Sequence, residues 1–225
     1  TFTDSVIANK NGKIFKVSKT ASTPKNPSEG FIKSVTKVLE LAGVAPSAVE
    51  VVLHGSTVVT NAILENKSAR TALITTKGFR HVLEIGRAEI PRESNLYGWV
   101  KPNRPIYPRD IFEIPERIRY DGTVSLPIDI NCLKEIVKVI SEVKYDAVAI
   151  SLMHSYANPS HEKLLEKELR KLLPDIEISL SFEVLPIFRE YERAMATVIN
   201  ASVQPIVGSY MKKLTAELKS LGINA

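Results

Sequence analysis

The sequence predicts an α/β protein, and three observations carry that reading. Residues 49–87 run from a β-branched stretch through a small polar turn and a helical segment into a second apolar stretch, the pattern of a βαβ-like unit. Residues 130–181 alternate again between helical periodicity and short apolar runs. The last forty or so residues then read as helix alone.

Taken in order, Ser5–Ala8 and Ile14–Ser18 are predicted strands of a hairpin closed by Asn9-Lys10-Asn11-Gly12, where asparagine and glycine accept positive φ. Pro27 suits the first turn of a helix, and Phe31, Val35, Val38, Leu39 and Ala42 recur at helical spacing until Gly43 ends it. Val49–Leu53 reads as a buried strand, His54-Gly55-Ser56-Thr57 as the turn, Val58–Glu65 as a helix opened by a hydroxyl cap, and Arg70–Thr75 as the next strand. A helix near Gly78–Ile85 follows. Residues 86–127 hold six of the thirteen prolines, a density that predicts extended segments and loops with an edge strand at Ile111–Arg119. Beyond them come a helix at Ile130–Val143, a strand at Ala147–Met153, a helix at Ser160–Leu173 and a strand at Glu177–Ser181. The tail reads as two helices, Phe188–Val203 and Ile206–Leu221, broken at Gln204-Pro205. The expected organisation is an α/β region over 1–127 and a second over 128–225.

Composition narrows the function classes. At 225 residues, 44% hydrophobic and 24% charged, the chain carries enough apolar residues for a core. No apolar run is long enough to span a membrane and no leader-like segment opens the chain, which with the single cysteine, Cys132, gives a cytoplasmic expectation. The net charge of +5 comes from interspersed lysines and arginines without basic runs or interleaved aromatics, so a nucleic-acid partner is not expected. The chain has no P-loop, no G-x-G-x-x-G and no G-x-S-x-G. His161-Glu162 begins like a zincin motif but Leu165 replaces the second histidine; a metal on His154 and His161 lacks a third ligand, and no metal site is assigned.

Two polar groupings remain. His54, Ser56 and Thr57 sit where ligands gather in open α/β sheets, at the end of a predicted strand, although Gly and Ser/Thr turns before helices are also ordinary capping chemistry. Asn61 stands four residues after Thr57 and shares its helix face, beside the same ligand or within helix hydrogen bonding. Arg189, Glu190, Glu192 and Arg193 form the second grouping; Glu190 and Arg193 are three apart, so an exposed ion pair is the plain account, but Tyr191, Met195, Val198 and Ile199 place this helix against a core and turn one charge toward a cleft.

Four blocks in order, TFTD at Thr1–Asp4, HGSTVVTNAILE with TALITTKGFRHVLEIGR, HSYANPSHE at His154–Glu162, and EVLPIFREYERAMATVINA at Glu183–Ala201, resemble the hydantoinase A / 5-oxoprolinase family, whose relatives include acetone and acetophenone carboxylase subunits. Ser56 stands where that family usually has threonine, and the family's first strand and paired glycines would precede Thr1, so the resemblance reads the chain as a fragment. The resemblance implies the first lobe of an actin, sugar-kinase and Hsp70-like (ribonuclease H-like) ATPase fold, with the second lobe absent. It implies ATP and Mg2+ as cofactors, with Thr1, Thr3 and Asp4 on the phosphate and Mg2+ side, and His54, Arg87, Glu190 and Arg193 as catalytic residues. Ser56, Thr57 and Asn61 would contact substrate. The implied reaction is ATP-dependent hydrolysis of a cyclic amide (hydantoin, N-methylhydantoin or 5-oxoproline) with a hydantoinase B-like subunit or domain, in an oligomer when full length. Ketone carboxylation and a non-catalytic binding or regulatory module are the alternatives, and the fragment alone is expected to be inactive.

Overall fold

The hairpin expected at the start is present in the computed structural model, which describes residues 2–23, 26–87, 98 and 105–224. Strands β1 (Phe2–Ala8) and β2 (Ile14–Ala21) pair antiparallel, with Val6 opposite Val17 and Asp4 opposite Lys19. Helix α1 (Pro27–Ala42) opens on its proline and ends at Gly43, whose φ of 64° lets the last carbonyls be capped by a left-handed turn. Ser5 donates to Ser34 of α1 at 2.7 Å, tying helix to hairpin. Gly30 lets α1 approach Thr23: its amide donates to Thr23 Oγ1 at 2.8 Å, and a Cβ there would lie 2.8 Å from that hydroxyl and 3.0 Å from the Thr23 backbone nitrogen. Gly30→Ala is therefore expected to lower stability by about 1–3 kcal/mol, through overpacking, in urea unfolding.

Val49–Leu53 departs from the expectation. It pairs with no strand among the described residues, and Val51 and Leu53 are 70% and 91% exposed. β-branched composition alone does not make a strand without a ladder partner, so the βαβ-like unit is not formed. Helix α2 (Val58–Leu64) follows as expected.

The second unit, Lys67–Pro205, is built on a four-stranded parallel sheet in the order β4-β3-β7-β8. Its strands are β3 (Thr71–Thr76), β4 (Ile111–Ile114), β7 (Ala147–Ser151) and β8 (Glu177–Leu180), with the small antiparallel pair β5 (Arg117–Ile118) and β6 (Val124–Leu126) beside them. β4 is an edge strand, as the proline density predicts. Helices α3 (Val82–Ile85), α4 (Leu133–Val143), α5 (Ser160–Leu172) and α6 (Ser181–Val184) accompany the sheet. Every residue of β3 and β7 is buried, and the two faces sort by period two. Ala72, Ile74, Val148 and Ile150 pack on Leu133, Ile136 and Ile140 of α4 and Leu165 and Leu169 of α5. Leu73, Ala147 and Ala149 face Ala194, Val198 and Ala201 of the long helix α7 (Glu190–Ser220), small residues meeting small residues.

Two expectations are corrected. The two predicted tail helices are one, because α7 runs through Pro205: proline removes one amide donor, yet the buried stripe at Ala194, Val198 and Ala201 holds the turns before it. The division expected at residue 127 is not where the chain divides, because β3 pairs with β7 across it; the units are Thr1–Asn66 with Ile206–Ala225, and Lys67–Pro205.

Candidate functional site

The candidate residues fall into one constellation in each unit. In the first, His54 lies in the exposed segment before α2 but is itself half-buried, its ring edge-on to Phe31 with centroids 4.5 Å apart. Its Nε2 lies 2.6 Å from the hydroxyl of Tyr210, 156 residues away. Burial raises the Tyr210 pKa, and a hydrogen bond with Ser56 partly offsets this; Ser56 Oγ accepts from the amide of Val58 at 3.2 Å. The hydroxyl cap of α2 is thus Ser56 rather than Thr57, whose side chain makes no cap bond. Val58, Ser56, Tyr210 and His54 thus form one connected set of polar groups, in which the neutral imidazole either accepts from the Tyr210 hydroxyl or donates to it at Nε2. Burial holds the His54 pKa below its ordinary 6.5, so the ring is neutral at pH 7.

Thr57 and Asn61 do share a face: the Asn61 amide donates to Thr57 Oγ1 at 3.5 Å, both exposed. Thr1 lies outside the described residues. Thr3 and Asp4 are successive residues of β1 and point to opposite faces: Thr3 Oγ1 bonds Ser22 at 3.0 Å, while Asp4 pairs with Lys19 at 3.5 Å on the solvent side. The two side chains thus lie on opposite faces of β1.

The second constellation lies at the carboxyl ends of β3 and β7. Arg193 is 1% exposed; its Nη1 donates to Ser155 at 2.9 Å and Nη2 to the Leu152 carbonyl, while Nε has no hydrogen-bond partner. The exposed Glu190–Arg193 ion pair is replaced by this inward turn. Ser155 meets Ser181 at 2.9 Å, and Ser181 donates to Glu162 Oε1 at 2.6 Å. Glu162, fully buried, also accepts from the amides of Leu152 at 2.9 Å and Phe182 at 3.2 Å. Burial raises its pKa and those donors pull it back; burial likewise lowers that of Arg193, against the attraction of Glu162 and Glu190. Glu190 and Arg193 line one cleft with Thr75, Ser151 and Arg80. Arg87 stands apart from these bonds: it pairs with Glu192, and Gly86, with φ of 57° and the Tyr191 ring within 3.8 Å of its Cβ position, brings it there.

The histidines weighed as metal ligands have other partners. His161 Nδ1 meets Glu116 Oε2 at 2.7 Å, both buried; Glu116 also accepts from Thr76, whose oxygen takes the Met153 amide at 2.9 Å. His154 Nδ1 lies 3.1 Å from the Tyr156 hydroxyl. Among the described residues no three His, Cys, Asp or Glu side chains gather to hold a metal, and no helix is long and apolar enough to cross a membrane. Sequence reasoning missed Tyr210, Glu116 and the role of Glu162; the HSYANPSHE block signalled the last, since His161 and Glu162 are its buried pair.

The sequence pattern of the hydantoinase/oxoprolinase N-terminal region matches residues 1–173. The chain belongs to this family. It is 37% identical over its full length to a protein of Methanocaldococcus jannaschii, covering 33% of that protein, and 30% identical over 99% of its length to the caprolactamase subunit alpha of Pseudomonas jessenii, covering 32%. The acetophenone carboxylase gamma subunit of Aromatoleum aromaticum is 27% identical over 96% of the chain and 32% of the subunit. The crystal structure of the ATP-dependent caprolactamase from Pseudomonas jessenii superposes with a TM-score of 0.84 at 29% identity, over 99% of this chain and 33% of that one. The chain thus spans about a third of the length of the curated relatives it matches.

Proposed function

We propose that the chain is part of an ATP-dependent hydrolase of cyclic amides of the hydantoin, N-methylhydantoin or 5-oxoproline type, with the first unit belonging to an actin-like ATPase lobe and a hydantoinase B-like subunit or domain as partner. ATP with Mg2+ would supply the phosphoryl group that breaks amide resonance at the carbonyl, with Thr1, Thr3 and Asp4 as the block proposed to face it. The observation that carries the reading is the pairing of His54 Nε2 with the Tyr210 hydroxyl at 2.6 Å beside Ser56. It holds a neutral imidazole in place, a group suited to exchange a proton or hydrogen bond with an oxygen that gains charge as it reacts. Thr57 and Asn61, exposed on the adjoining helix face, are the substrate-side hydroxyl and amide. The likeness to a caprolactamase subunit supports a lactam-type substrate.

A carboxylase reading has its own support in the acetophenone carboxylase gamma subunit, since the same imidazole would meet an enolate oxygen. The test is ADP release by the full-length polypeptide with its B-like partner. Release coupled to disappearance of 5-oxoproline or hydantoin supports the hydrolase; release only with a ketone and bicarbonate supports the carboxylase. Absence of ADP with every substrate would leave the binding or regulatory module.

A further inference from the structure

The sheet of the second unit has its strands in the order β4-β3-β7-β8. The chain leaves β3 for β4 on one side, then returns to lay β7 on the other, so the order reverses between β3 and β7. Ligands of open parallel sheets collect outside the carboxyl ends of the strands at such a reversal. The cleft lined by Thr75, the fifth residue of β3, and Ser151, the last of β7, opens there.

Its charged groups state what would bind. Arg193, 1% exposed, is held by Ser155 and Leu152 through its two terminal nitrogens and lines the cleft with its Nε–H unpartnered. Arg80 lines the other wall; its buried Nε also has no hydrogen-bond partner, Glu113 standing 3.6 Å away. Glu190 is the single carboxylate of the lining, while Glu113 pairs with Arg80 at 3.6 Å and Glu162 offsets Arg193 from outside the lining. The cavity of about 10 Å3 admits one water-sized group. One oxygen of a larger ligand would fill it, the remainder lying at the mouth beside the more exposed Arg80.

We propose that this cleft binds a small oxyanion, the carboxylate or phosphoryl group of a metabolite, with one oxygen accepting from Arg193 Nε–H and the charge shared with Arg80. The Glu162–Ser181–Ser155 relay holds the guanidinium in place through Nη1. The site is built from the second unit alone and does not depend on the proposed reaction.

The test is a titration of the isotope-labelled 225-residue chain with sodium phosphate and, separately, sodium acetate, at an ionic strength held constant with sodium chloride, following the arginine Nε–Hε signals by NMR. Arg193→Lys removes one signal and assigns it; should that variant not fold, backbone-to-side-chain correlation assigns it in the parent. The Arg193 signal is expected to shift to saturation. Arg80→Gln, at the rim, is expected to weaken binding about tenfold, and Glu190→Gln to tighten it. Saturation by phosphate alone identifies a phosphoryl ligand, by acetate alone a carboxylate, and by both an oxyanion of either kind. A signal that neither anion moves, that follows chloride equally, or whose midpoint both rim variants leave unchanged would overturn the site.

Discussion

Glu162→Ala is expected to destabilise the second unit by about 3–5 kcal/mol, the cost of removing one partner from a buried charged network. The carboxylate is fully buried, and its loss strips acceptors from the amides of Leu152 and Phe182 and from Ser181 at once. It also leaves the Arg193 guanidinium without its strongest compensating charge. Urea unfolding reads this as a lower midpoint with little change in slope. A loss under about 1 kcal/mol, the scale of one ordinary hydrogen bond, would show that the network does not hold the strand ends.

Under the proposed function, His54→Ala in the full-length polypeptide should lower kcat and kcat/KM together, on the order of 10²-fold or more, as expected for a group that acts on developing charge. Thermal stability at neutral pH should change little, since the ring is only half-buried. The pH dependence of stability is a separate expectation that follows from burial of the ring. The folded pKa lies below the ordinary 6.5, so the unfolded chain takes up the proton first as pH falls. Stability contributed by the neutral ring is present above about 6.5 and is lost as pH drops through the folded value, and His54→Ala should flatten that decline. A variant that melts earlier at neutral pH yet turns over at the parent rate would end the catalytic reading.

Much of the fold was legible because it is local. The spacing of Phe31, Val38 and Leu39 and the closing Gly43 predict α1 almost to the residue, and the helix expected at Ile130–Val143 forms as α4 from Leu133 onward. Val49–Leu53 was misread because a strand requires a neighbour, and composition carries no information on whether one is there. Pro205 was misread because the breaking tendency of one residue was weighed without the buried stripe beside it. The sites were legible only in part, for the same reason. His54, Ser56 and Arg193 stand out as polar residues at element ends, but what orients them lies far along the chain: Tyr210 for His54, Ser155 and Leu152 for Arg193. His161 was weighed against His154, seven residues away, whereas its partner is Glu116, forty-five residues earlier.

The division of the chain sets a timetable for its synthesis. The second unit is one uninterrupted stretch, Lys67–Pro205, and has all its strands once that stretch has left the ribosome. The first unit is split around it and awaits the last twenty residues, Ile206–Ala225, which bring Leu214 and Ile223 to its core. Tyr210 is among them. The imidazole of His54 is made early but acquires its hydroxyl partner only when translation has passed the inserted unit, so a nascent chain of this protein carries the histidine long before it carries Tyr210.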